Sequence, residues 1–308
     1  MKTETARLSI SRRQFLTATA VAGASCGLSR SISAQVRPAK PGIVRDRLWV
    51  FACPINNDYP NIRRRSLMSP AESAFFLGVP NILMVQVKPG PGQEAWFKPF
   101  ESPFEQYAVA LRPLKRVVWS VVGGGGVTEE KERQEVLTMA KQIPNFAGVY
   151  MDDFFHGKGE GKLASLSLEE LQGLHREVRI SSKKLDLFVT LYTHQLDLPI
   201  CDYLNLIDVI ALWTWKPEEL VNLESNLSKL EKLAPNSRKM LGCYVVDYTE
   251  RKSVPVSAMQ YQCELGLRWL REGRIEGIVI LGNSVMDLGY EAVDWTRDWI
   301  EKVGDLKL

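Results

Sequence analysis

Short apolar runs alternate with longer amphipathic stretches along most of this chain. The runs are RLWVFACPI, NILMVQV, RVVWSVV, FAGVYMDDFF, LDLFVTLYT, IDVIALWTW, KMLGCYVVDY and EGIVILGN, eight in all. Between them lie helical candidates such as TEEKERQEVLTMAKQI, SLEELQGLHREVRISSKK, KPEELVNLESNLSKLEKL, SAMQYQCELGLRWLREG and the terminal YEAVDWTRDWIEKV. Alternation of this kind predicts parallel strands joined by crossover helices. Thr128, Ser167 with Glu170 three residues later, and Ser257 stand where helix caps are expected.

Eight strand–helix units in series, with no internal linker or low-complexity tract, predict a single α/β domain folded as a (β/α)8 TIM barrel over residues 47–308. An open doubly wound sheet would want a glycine-rich phosphate turn after its first strand, and ACPINNDYPN supplies none. The run Gly123–Gly126 follows the third strand with no Lys-Ser/Thr behind it, so it reads as a flexible loop over the barrel mouth.

In such a barrel the site lies at the C-terminal strand ends. Side chains alternate along a strand. In AGVYMDD the apolar phase Ala147, Val149, Met151 suits the helix layer, which turns Gly148, Tyr150 and Asp152 inward and leaves Asp153 at the junction with the loop. The same reading sends Thr190, Tyr192 and His194 inward from the fifth strand, Trp213 and Trp215 from the sixth, and Gln86 and Lys88 from the second. The seventh run, GCYVVDY, repeats the spacing of GVYMDDF, making Asp247 the counterpart of Asp153 and Tyr248 that of Phe154; Tyr244 and Glu250 lie nearby. Asn283 ends the eighth strand with an amide. Carboxylates, amides and aromatic rings around one rim suit a sugar, whose hydroxyls take hydrogen bonds and whose apolar face takes a ring.

The N-terminus changes the setting. Arg12 and Arg13 precede Phe15, Leu16 and a mild run of small and apolar residues, which resembles a bacterial twin-arginine export signal. Residues 1–34 are expected to be the signal, cleaved after Ala34, with 35–46 a linker. The run from Phe15 to Leu28 is too short and too rich in Gly, Ala and Ser for a membrane span. The twin-arginine export machinery is thus an expected partner, and the periplasm or exterior the expected location. Lipidation at Cys26 is the lesser alternative, because Gly23 stands where a larger aliphatic is preferred. Net charge is +3 with no basic block in the body, so no nucleic-acid partner is expected. Cys53, Cys201, Cys243 and Cys263 form no C-x-x-C pair; buried free thiols are expected, with Cys243–Cys263 the first disulfide to check.

A strand ending GVYMDDF inside an eight-unit barrel resembles the fourth strand of (β/α)8-barrel glycoside hydrolases. That resemblance implies that an Asp or Glu at this position is the catalytic acid, base or nucleophile. The chain departs from two such patterns: no Asn-Glu pair ends the strand, and no D-x-x-D-x-D-x-E run is present. The leading expectation is an exported enzyme cleaving glycosidic bonds with Asp152 and Asp153 partnered by Asp247 or Glu250, acting on a carbohydrate without metal or cofactor. One alternative is a metal-dependent sugar isomerase, epimerase or lyase, with a hard cation on Asp152, Asp153 and His156. Another is a non-catalytic barrel that binds glycans or a protein.

Overall fold

The computed structural model describes residues 41–53, 65–88, 100–157, 161–181 and 183–308. The signal, the cleavage point and Cys26 lie outside these residues. Eight parallel strands close into a barrel: β1 (Leu48–Ala52), β2 (Asn81–Met84), β3 (Arg116–Val122), β4 (Phe146–Met151), β5 (Asp186–Tyr192), β6 (Val209–Trp213), β7 (Arg238–Cys243) and β10 (Gly277–Leu281). Two short strands, β8 (Val246–Asp247) and β9 (Lys252–Ser253), pair antiparallel in the loop after β7. One helix follows each barrel strand: α1 (Pro70–Leu77), α2 (Glu105–Ala108), α3 (Glu130–Gln142), α4 (Leu168–Arg179), α5 (Cys201–Leu204), α6 (Leu223–Leu233), α7 (Val256–Arg271) and α8 (Glu291–Val303). The architecture is a (β/α)8 TIM barrel, which excludes the doubly wound alternative.

Registers run unbroken from β4 to β7, and β1 pairs with β10 from Leu48 opposite Ile278 to Phe51 opposite Leu281, which closes the ring. Aromatic side chains fill the interior in layers. Trp49 meets Phe188 with centroids 6.1 Å apart, and one layer higher Phe51 meets Tyr150 at 6.3 Å and Trp213 at 5.7 Å. The Trp213 ring fits because the neighbouring strand carries glycine beside it. A Cβ on Gly242 would stand 2.0 Å from the Trp213 ring. Large and small residues thus interdigitate at the density of a close-packed core.

Several local expectations need correction. Ser167 caps α4 with Glu170 as a reciprocal capping box, but Thr128 and Ser257 cap nothing. Thr128 donates to the Val121 carbonyl at 2.7 Å instead, and Ser257 lies inside α7, which starts at Val256 behind Pro255. A capping box on Ser69 and Glu72 opens α1. Ile43 bridges to Lys307 and Val44 is fully buried, so the apolar end of the expected linker packs onto the barrel. Cys53, Cys243 and Cys263 are buried free thiols, with no Cys243–Cys263 disulfide, whereas Cys201 is disulfide-bonded and departs from the expectation of a free thiol. Among the described residues no helix is long and apolar enough to cross a membrane.

Candidate active site

Strand β4 ends at Met151, and the two aspartates follow as the chain turns out of the barrel. The inward phase holds: Tyr150 is fully buried in the interior and Asp152, 6% exposed, sits above it. Asp152 is held in place by its backbone N–H on the Val122 carbonyl at 2.9 Å. Asp153 has φ +43°, a left-handed conformation that aspartate tolerates better than most residues. This turn lets successive carboxylates meet different partners. Phe154 and Phe155 then pack edge-on at 5.0 Å and both meet Tyr203, anchoring the outgoing loop in the helix layer.

Asp152 and Asp153 differ in environment. Oδ1 of Asp152 accepts from Thr190 Oγ1 at 2.6 Å, and Thr190 Oγ1 lies 2.6 Å from the Tyr150 hydroxyl. Burial pushes the Asp152 carboxyl well above the usual carboxylate range; the charge of Asp153 adds to this, and hydrogen bonds from Thr190 and the Asp153 backbone oppose it. Asp153 accepts the Tyr192 hydroxyl on Oδ1 and the Gly125 backbone N–H on Oδ2, the latter at 2.7 Å. One carboxyl therefore favours holding a proton, and its neighbour is furnished with donors as an acceptor. Burial first, and acidic neighbours as well, push the phenols of Tyr150, Tyr192 and Tyr244 upward, so all three remain protonated.

An aromatic wall rises on the β5–β7 side. Trp215, 39% exposed, packs edge-on against Tyr192 at 5.4 Å and Tyr244 at 5.6 Å, and stacks on Tyr248 at 5.8 Å. His194 is exposed on the short turn after β5, with its ring parallel to Tyr192 at 5.5 Å. The strand has ended by then, so His194 lines the rim and not the interior. Trp213 is buried inside the barrel with its indole N–H unpaired, and Gln86 Nε2 is likewise buried without a partner among the described residues.

Four expected site residues are engaged elsewhere. Asp247 Oδ1 accepts the backbone N–H groups of Thr249 and Glu250 at 2.8 and 3.1 Å, so its carboxylate caps the β8–β9 turn. Glu250 faces solvent, with Lys252 3.9 Å away. Lys88 is paired with Glu129 and Glu132 at 2.5 and 3.0 Å. Asn283 uses both amide protons on the carbonyls of Cys53 and Met68 and accepts the Cys53 N–H, each at 3.0 Å, which fastens the β10 end to β1. Conversely, Thr190 and the Gly125 backbone reach the aspartates. Thr190 shares the inward phase of Tyr192, which is the signal that marks it; the Gly123–Gly126 loop carries no side-chain signal at all. Among the described residues no three His, Cys, Asp or Glu side chains converge as metal ligands, and His156 instead pairs with Ser165 at 3.2 Å.

No protein-family model matches the chain, and no curated protein matches it in sequence. Its fold is similar to solved barrels. Active domain 2 of a thermostable chitinase from Pyrococcus furiosus, solved with chito-oligosaccharides, aligns at 13% identity and a TM-score of 0.55, over 87% of this chain and 99% of that one. A xylanase and alpha-amylase inhibitor protein from Scadoxus multiflorus aligns at 12% identity and 0.51, over 84% and 98%. A GH10 xylanase with a bacterial Ig-like domain, from termite gut, aligns at 8% identity and 0.51, over 87% and 80%. At these identities the likeness is one of fold.

Proposed function

We propose that the chain is an exported glycosidase in which Asp152 is the general acid and Asp153 its ionised partner. The observation that carries this reading is the pairing at the end of β4. Asp152 is buried and inclined to keep its proton, while Asp153 is turned toward two donors. Glycosidic cleavage asks for one carboxyl that protonates the leaving oxygen and one carboxylate that supports the positive charge at the sugar carbon or activates water. With Asp247 capping a turn and Glu250 facing solvent, the working pair is Asp152 and Asp153. Gln86 Nε2 is an unpaired donor suited to a sugar hydroxyl, and Trp215 offers an exposed ring to an apolar sugar face. The similarity in fold to a chitinase domain and a GH10 xylanase supports a carbohydrate substrate at the level of architecture.

The test is release of reducing ends from a panel of oligosaccharides by the purified protein. Turnover of at least one glycan is expected, and binding without turnover on every glycan would favour a second reading. That reading is a barrel that binds without cleaving, and the fold shared with an inhibitor of xylanase and α-amylase favours it. Export rests on Arg12 and Arg13. Replacing both with Lys is expected to stop export of a fused reporter.

A further inference from the structure

The Thr190 hydroxyl stands between two oxygens, Tyr150 Oη and Asp152 Oδ1, each 2.6 Å away. It has one proton to give, and Oδ1 of Asp152 accepts it, so the Tyr150 hydroxyl donates to Thr190. The chain has one polarity, from Tyr150 up to the carboxyl.

We propose that Thr190, backed by Tyr150, is a positioning residue for the acid: it occupies Oδ1 of Asp152 and leaves Oδ2 as the oxygen that holds and delivers the proton. This rests on the reading of Asp152 as the acid. Oδ2 lies toward the β3 loop, where a Cβ on Gly124 would come to 3.9 Å. In the reaction the Oδ2–H bond breaks as the glycosidic oxygen takes the proton, and the carbon–oxygen bond breaks with its electron pair going to that oxygen. Asp152 becomes a carboxylate, and the Thr190 hydrogen bond to Oδ1, now to an anion, strengthens as the charge appears. The titratable groups that bear on Asp152 are Asp153 beside it, Tyr150 on β4, Tyr192 on β5 and Tyr244 just after β7.

Thr190→Val keeps the shape and removes the donor, and Thr190→Ser keeps the donor. Two readouts apply: infrared titration of the carboxyl stretch, assigned by difference from Asp152→Asn, and kcat against KM on the glycan turned over. Thr190→Val is expected to move the Asp152 titration to higher pH, because a bond that favours the charged form is gone. It should lower kcat about tenfold or more with KM nearly unchanged. Thr190→Ser should restore both. If Thr190→Val does not fold, Tyr150→Phe serves: it leaves the Thr190 bond but removes its backing, and a smaller upward move is expected. A titration unmoved in the folded variants, or a Thr190→Ser protein that titrates like the valine variant, would overturn the proposal. The infrared titration needs no substrate, so absence of glycan turnover by the wild type counts against the glycosidase reading alone.

Discussion

Replacing Asp153 with Asn probes both the turn and its influence on the acid. Asparagine accepts a φ of +43° as readily as aspartate, so the backbone is not strained by the change. The side chain must now serve a fixed donor, the Gly125 N–H, and a rotatable one, the Tyr192 hydroxyl. The amide oxygen goes to Gly125, and the NH2 group meets the Tyr192 oxygen once that hydroxyl has turned. Two bonds to a charged acceptor become two neutral ones. Bonds to charged groups contribute about 1.5–3 kcal/mol and neutral ones about 0.5–1.5, so the loss is about 2 kcal/mol. For a barrel of this size that is a fall of roughly 4–8 °C in melting temperature. Asp152 responds as well. The Asp153 charge is the second cause of its raised pKa, after burial. Without it the Asp152 proton is lost at lower pH, and the infrared titration of the Asp152 carboxyl moves toward acid. Thermal melting and that titration on the same preparation check both parts, and neither needs turnover. A titration that stays in place or moves upward would refute the coupling between the two carboxyls.

Gly242→Ala places a Cβ 2.0 Å from the Trp213 ring, which is held by Phe51 and Tyr244. Overpacking of about 1–3 kcal/mol should outweigh the gain of under about 1 kcal/mol from alanine in a strand, and denaturant unfolding should show a net loss of stability. Stability should also carry the sign of the Asp152 shift. The contribution of neutral Asp152 is fully present below the unfolded value near 3.8 and is lost as pH rises through its raised folded value, since the fold must then bury a charge. Asp152→Asn never ionises, so its stability relative to wild type should grow as pH rises above the unfolded value near 3.8; a gap independent of pH would count against the shift. Trp215→Ala should weaken glycan binding by about tenfold in calorimetry, with melting nearly unchanged because the ring is partly exposed already.

The barrel was legible in the sequence because each strand carries its own apolar run, and the inward phase of Gly148, Tyr150 and Asp152 follows from a period that admits only two choices. The rim was less legible, since it depends on where each strand stops. The seventh run continues in sequence through Asp247, but the strand itself ends at Cys243 and a hairpin begins, so the likeness to the fourth run does not place Asp247 beside Asp152. Asn283 and Lys88 were good candidates by type; their partners, the Cys53 carbonyl just after β1, 230 residues away, and two glutamates on the α3 side, are set by closure of the ring. Gly125 contributes a backbone N–H, which any residue could have offered from the right turn.

Turnover by Asp152→Asn tests the assignment of the acid most directly. The amide keeps the volume and an oxygen for Thr190 while removing the proton that is transferred. On a glycan cleaved by the wild type, the variant is expected to lose at least about a hundredfold in kcat and to melt no lower near neutral pH. A variant that stays active, or one whose loss of activity comes with a fall of tens of degrees in melting temperature, would contradict the assignment and leave the paired aspartates as a turn between strand and loop.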